Sequence, residues 1–213
     1  MRELRTSSAP APGRHRRVAK APDDRRQDIL AAGMKLFRTT GFADTTIADI
    51  AAEAGIAKGT FYLYFDSKDD LLGVLWEGYV DELIRKGSEI LGDADGWWPT
   101  LDRLWAVLIE HAAAHAELHR IVYSGADAKA RELCKQSSQR IIDILGSYVR
   151  RGAAAGAFQA TDVEVAARLV YLAAEGLLDD VGSHQKVVDP APITAAVQEL
   201  CHRALGDPAL LQR

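Results

Sequence analysis

A chain of 213 residues with 48% hydrophobic side chains can bury the core of one large domain or two small ones, and its few aromatics, 7%, beside abundant Ala and Leu favour helices over sheets. No run of about 18 apolar residues is present to span a bilayer, and the N-terminus lacks the apolar core of a secretory signal, so a cytoplasmic protein with no membrane partner is expected. The net charge of −4 argues against indiscriminate polyanion binding, yet residues 1–38 hold ten Lys or Arg against four Asp or Glu, +6, which leaves −10 for the remainder; a basic front on an acidic body suits phosphate attraction at one end.

Residues 1–22, rich in Pro, Ala, Ser and Arg and without apolar periodicity, are expected to form a disordered basic arm. Asp23 or Asp24 is placed to cap a first helix running to about Thr40, with Ile29, Leu30, Gly33, Leu36 and Phe37 inward and Gly41 at its end. Thr45 and Thr46 form an N-cap pair for a second helix, whose Ile47, Ile50, Ala51 and Ala54 recur at helical spacing. Gly55 supplies a turn that tolerates positive φ, Ile56 packs beneath it, and a third helix is expected from Ala57 to about Phe65. That helix turns Phe61 and Phe65 inward and leaves Lys58, Gly59, Thr60, Tyr62 and Tyr64 outward.

Ser67, with Asp70 three residues on, resembles a capping box opening a long helix to about Leu91. The Gly, Asp and Trp cluster of 92–99 interrupts the pattern, and a helix from about Thr100 carries Leu101, Leu104, Trp105, Leu108, Ala112 and His115 on one face. Further helices are expected over 127–151, 162–183 and 190–205, the last opened by Pro190 and Pro192. Cys134 and Cys201 lack metal-ligand or redox spacing and read as small buried apolar residues.

A short helix offering Thr, Lys, Gly and Tyr suits a phosphate-lined groove, because hydroxyls and ammonium groups bond phosphate oxygens and Gly permits close approach. The segment also resembles the TetR family of bacterial transcriptional regulators over roughly residues 25–72. The likeness is carried by Ala31-Ala32-Gly33 with Leu36-Phe37, by Gly41-Phe42, Thr45-Thr46-Ile47 and Ile50-Ala51, and above all by Ala54 to Phe65 followed by Ser67-Lys68. The chain departs from the family pattern at Ala57, where Ser is common, and at Tyr64-Phe65, where His-Phe is usual. The resemblance implies an all-α fold: a three-helix DNA-binding domain, here 23–70, and a larger C-terminal helical domain for ligand binding and dimerisation, here 71–213. By the same resemblance Thr45 and Thr46 would hold phosphates, Lys58, Gly59 and Thr60 would face bases or backbone, Tyr62 and Tyr64 would meet the duplex edge, and Lys68 would clamp a phosphate.

Two C-terminal helices carry apolar faces, with Val163, Ala166, Leu169, Val170, Ala173 and Leu177 on one and Ile193, Val197, Leu200 and Ala204 on the other. Taken alone these faces suit an intramolecular core; the family resemblance implies a homodimer interface, with Leu169, Ala173, Leu177, Val197 and Leu200 at its centre. Candidates to line an effector pocket are Trp76, Tyr79, Trp105, His111, His115, His119, Tyr123, Tyr148 and Tyr171, whose apolar bodies and polar tips suit an amphipathic small molecule. His111, His115 and His119 lie at i, i+4 and i+8, so two could share a metal, but Leu108 and Ala112 on the same helix favour buried, hydrogen-bonded histidines; no metal or cofactor is expected.

The reading that follows is a DNA-binding regulator, by family habit a repressor, which binds a palindromic double-stranded operator as a homodimer and answers to a small-molecule effector. A regulator controlled by a protein partner is the second reading. A helical metal enzyme would need paired Glu-x-x-His motifs, and the chain has one, Glu199 to His202.

Overall fold

The computed structural model of the chain describes residues 22–92, 96–184 and 188–207, and among these every regular element is helical. The helices are α1 (Pro22–Thr39), α2 (Ile47–Glu53), α3 (Lys58–Phe61), α4 (Lys68–Gly92), α5 (Trp97–Ala114), α6 (Ala116–Arg120), α7 (Ala128–Ala154), α8 (Val163–His184) and α9 (Pro190–Ala204), with a π-helical turn at Ile121–Gly125 after α6. The expected basic arm lies outside the described residues except for Pro22, which opens α1. Asp23 and Asp24 therefore sit inside the first turn, where carboxylates oppose the positive helix end, and do not precede it as caps. Gly41, at φ +94°, follows the helix as expected.

Local chemistry accounts for most boundaries. Thr46 caps α2 through a full capping box, its side chain accepting from the Asp49 N–H while the Asp49 carboxylate accepts from the Thr46 N–H. Gly55, at φ +66°, makes the turn into α3. Asp127 and Asp189 cap α7 and α9, with Pro190 at the first helical position where no N–H is needed. Ser67 Oγ accepts from the Asp70 N–H, and the Asp70 carboxylate reaches back to the N–H of Asp66.

Three expectations are corrected. The third helix closes at Phe61, because the N–H groups of Leu63 and Tyr64 bond back three residues, to Thr60 and Phe61, and tighten the chain into turns. The fifth begins at Trp97, earlier than expected, since Pro99 falls in a first turn whose N–H groups have no helical acceptor. The histidine-bearing helix is not continuous: it breaks at His115 (φ −111°, ψ 25°), so His119 belongs to the separate α6.

The core forms two clusters. The first joins α1, α2 and α3 to the N-terminal half of α4 and includes Ile29, Phe37, Ile50, Phe61, Phe65, Leu71, Trp76 and Val80, extended by Leu118, Val122 and Cys134. The second gathers Leu101, Trp105, Ile109, Val149, Val170, Leu178 and Cys201 from α5, α7, α8 and α9, with Phe158 from the loop between α7 and α8. Helix α4 packs against α1, α5 and α7, and Trp76 Nε1 donates to Ser138 Oγ on α7 at 3.0 Å, so the three N-terminal helices and the C-terminal bundle share one long helix. Both cysteines are free and buried, and burial pushes each thiol up to about 12, in keeping with inert packing roles.

Candidate nucleic-acid interface and effector cleft

The exposed surface of the helix-turn-helix is narrower than its sequence implies. Lys58 and Gly59 are exposed, Thr60 is half-buried, Tyr62 stands 49% exposed with its ring edge-on to Phe61, and Thr46 is exposed at the head of α2. The most exposed side chain of the turn after α3 is Leu63, 80% exposed, which is not among the residues expected to face DNA. Its signal was available: an apolar residue out of phase with Phe61 and Phe65 has no core to enter.

Three residues expected to face DNA point elsewhere. Thr45 is 2% exposed and donates its hydroxyl to the Gly41 carbonyl at 2.7 Å, closing the α1–α2 loop. Tyr64 is half-buried and packs on the first core cluster. Lys68 departs furthest from the expected phosphate clamp: its ammonium donates to the carbonyls of Phe42 at 2.7 Å, Ala43 at 3.0 Å and Thr45 at 3.1 Å and lies 4.6 Å from the centre of the Phe42 ring. An ammonium has three N–H donors, and here all three serve the loop ahead of α2.

The expected pocket residues divide into two groups. Trp105 and Tyr148 line a narrow open cleft among α4, α5 and α7 with about 60 Å³ of interior space; the other walls are almost wholly aliphatic, with Leu83, Ile84 and Leu91 from α4, Leu104 and Leu108 from α5, and Ile144 from α7. These aliphatic walls were not singled out in the sequence, because Leu and Ile at helical spacing read as ordinary core. Tyr148 donates to the Trp97 carbonyl at 2.8 Å, fixing its ring at one side.

Trp76, Tyr79, His111, His115 and Tyr123 lie outside that cleft, in a stack with His119. Tyr79 lies flat on His111 at 4.6 Å and meets His119 at 5.0 Å, while Trp76 meets His119 at 4.8 Å. Neither ring nitrogen of His119 has a hydrogen-bond partner among the described residues, and burial lowers its pKa to about 4, which keeps it neutral. Tyr123 and Tyr171 both donate to the Glu175 carboxylate at 3.0 Å. Burial raises the pKa of Glu175 while these two bonds oppose the rise. Glu175 is a further residue missed in the sequence, four positions after Tyr171 on α8.

On the outer face of α8, Val165, Leu169, Leu172 and Leu177 are exposed, as is Ala173, and Leu200 continues the patch from α9. Val197 corrects its expected place at that face: at 4% exposed it belongs to the chain's own core with Ile193 and Cys201. Val170 likewise points inward, since it falls a full 100° from Leu169 around the helix.

The chain is similar to known proteins along most of its length. Residues 29–75 match the family described as "Bacterial regulatory proteins, tetR family", and residues 99–202 match "Tetracyclin repressor-like, C-terminal domain". The uncharacterized HTH-type transcriptional regulator YerO of Bacillus subtilis is 40% identical over 74 residues, which span 35% of this chain and 26% of that protein. The HTH-type transcriptional repressor KstR2 of Mycobacterium tuberculosis is 28% identical over 147 residues, 64% of this chain and 72% of its own length. Among solved structures, a TetR-family transcriptional regulator from Syntrophomonas wolfei superposes with a TM-score of 0.77 at 25% identity, covering 88% of this chain and 98% of the other. Two further structures share the fold: FadR from Bacillus subtilis in complex with stearoyl-CoA (TM-score 0.68, 20% identity, 84% and 97% covered) and FadR from Thermus thermophilus in complex with lauroyl-CoA (TM-score 0.66, 20% identity, 84% and 94% covered).

Proposed function

This chain belongs to the TetR family of bacterial transcriptional regulators, a family of DNA-binding proteins and not of enzymes, and from that premise we propose that it is a homodimeric repressor released from a palindromic operator by a long-chain acyl thioester. One observation carries the effector half of this reading. Helix α4 forms a wall of the aliphatic cleft through Leu83, Ile84, Gly87 and Leu91, and at its other end Lys68 holds the carbonyls of the loop that precedes α2. A chain of methylenes entering the cleft would gain about 0.8 kcal/mol per buried CH₂ and would displace α4 with the reading head attached. The FadR structures with bound stearoyl-CoA and lauroyl-CoA support the ligand class.

In this reading residues 23–70 are the DNA-binding head and 71–213 the sensing and dimerising body. Lys58, Gly59, Thr60, Tyr62 and Leu63 approach the major groove, Thr46 approaches a flanking phosphate, and Leu63 offers an apolar contact of the kind that recognises a thymine methyl. The dimer forms through Leu169, Leu172, Ala173 and Leu177 of α8 with Leu200 of α9, and sets the two heads about 34–36 Å apart to match successive major grooves.

The test is a gel-shift titration with intergenic DNA flanking the chain's own gene. Stearoyl-CoA is expected to release the wild-type protein, and Leu108→Trp, which fills the cleft, is expected to bind DNA normally but resist release. Tyr62→Ala is expected to lose DNA affinity while keeping its melting temperature. Release that is absent in wild type, or equal in Leu108→Trp, refutes the acyl effector; undiminished binding by Tyr62→Ala refutes the docking surface.

A further inference from the structure

The histidines left outside the aliphatic cleft converge on a carboxylate. One ligand-capable atom each from Glu82 on α4, His111 near the end of α5 and His115 at the break after it lie within 4.8 Å of one another, the one such cluster of three among the described residues. The backbone has already assigned the proton on both rings. A carbonyl oxygen can only accept, so the bond of 3.0 Å between His111 Nε2 and the Tyr79 carbonyl places the N–H on Nε2 and a lone pair on Nδ1. By the same logic His115 Nδ1 donates to the His111 carbonyl at 2.8 Å and keeps a lone pair on Nε2. Two imidazoles oriented by carbonyls, each keeping one lone pair free of the backbone and clustered with a carboxylate, have the outer-shell arrangement that supports metal-ligating histidines.

A cation already occupies the cluster: Lys86 Nζ donates to Glu82 Oε1 at 2.9 Å and to His111 Nδ1 at 3.2 Å. Lys86 is one turn from Glu82 on α4, and its long stem ends partly exposed, so the ammonium can swing to solvent without moving the helix. Tyr79 stacks on His111 at 4.6 Å and approaches His115 edge-on at 5.4 Å, closing the inner side, while the Glu82 side chain, 42% exposed, leaves the outer side open for entry. Neighbouring ligand atoms of a tetrahedral zinc stand about 3.4 Å apart at bond lengths of about 2.1 Å, so small side-chain rotations suffice to close the set.

We infer that Glu82, His111 and His115 form a binding site for a divalent transition-metal ion of the zinc or cobalt class, with His111 Nδ1, His115 Nε2 and the Glu82 carboxylate as protein ligands and water completing the shell. The ion displaces the Lys86 ammonium and joins α4 to the C-terminal end of α5. This site is separate from the aliphatic cleft and does not depend on what fills it.

The experiment titrates Co²⁺ into untagged, chelator-treated full-length protein, reading the visible ligand-field absorption, then displaces it with Zn²⁺. Wild type is expected to develop the band with a single tight equivalent per chain and to melt at a higher temperature in Zn²⁺. Glu82→Gln and His115→Gln are expected to weaken binding by on the order of tenfold or more. Lys86→Met, which removes the internal competitor, is expected to tighten it. Both Glu82 and Lys86 are partly exposed, so their variants report on the site even if His115→Gln folds poorly. No band in wild type, wild-type affinity in Glu82→Gln, or weaker binding in Lys86→Met would each overturn the assignment.

Discussion

At the scale of single residues, Lys68 shows how one ammonium can change role with its surroundings. Its three donors hold a loop together, so Lys68→Met is expected to cost about 1–3 kcal/mol of stability, read as a lower melting temperature. The salt dependence of DNA binding should stay as in wild type; removal of a true phosphate contact would lower that slope by about one unit. His202 is a second case. Burial opposes its charged form, but hydrogen bonds to Asp207 at 2.6 Å and Asp102 at 2.8 Å outweigh that effect and raise its pKa above the ordinary 6.5. Because the folded state favours the imidazolium, this stabilisation is complete below pH 6.5 and is lost as pH rises through the raised value. The melting temperature should therefore fall from neutral to mildly alkaline pH, and His202→Gln should flatten that fall; equal slopes in both proteins would remove His202 as the cause.

At the scale of elements, two glycines in helices have opposite reasons to be glycine. A Cβ at Gly152 of α7 would overlap the ring of Phe158, which is itself buried in the second core cluster, so Gly152→Ala is expected to destabilise by about 1–3 kcal/mol in chemical denaturation. Gly59 of α3 has nothing within 4 Å, and Gly59→Ala should melt like wild type. Its effect belongs to the complex: if the backbone there approaches DNA closely, the added methyl reduces affinity in a gel shift without any change in the free protein. The contrast separates a glycine required by packing from one required by a partner.

At the scale of the whole molecule, the large apolar side chains left exposed among the described residues fall in three places. Tyr62 and Leu63 stand on the turn after α3, Ile144 borders the aliphatic cleft, and Val165, Leu169, Leu172, Leu177 and Leu200 share the α8–α9 face. Concentrated apolar exposure of this kind marks surfaces that meet something. Leu169, 62% exposed, makes no core contact to lose, so Leu169→Glu is expected to yield a folded monomer in sedimentation analysis, with weakened operator binding. Val197→Glu, placed in the core of the chain itself, is expected to lower the melting temperature sharply instead. A Leu169→Glu protein that remains dimeric would move the interface off this face.

The all-helical class, the helix-turn-helix and the caps at Thr46 and Ser67 were legible from the amino-acid order because they rest on interactions within four residues: Thr46 with Asp49, Ser67 with Asp70, Gly55 at positive φ, Phe61 with Phe65. Short-range signals carry their own geometry. Spacing alone assigns a side chain to a helix face but not the surface that face will meet, and this is where tertiary structure decided. It turned Lys68 toward carbonyls 23 to 26 residues away, sent Val197 inward while Leu200 stayed out, and sorted the aromatics between an aliphatic cleft and a histidine stack. Each of those outcomes depends on which distant element packs against a given face, and no local pattern encodes that choice.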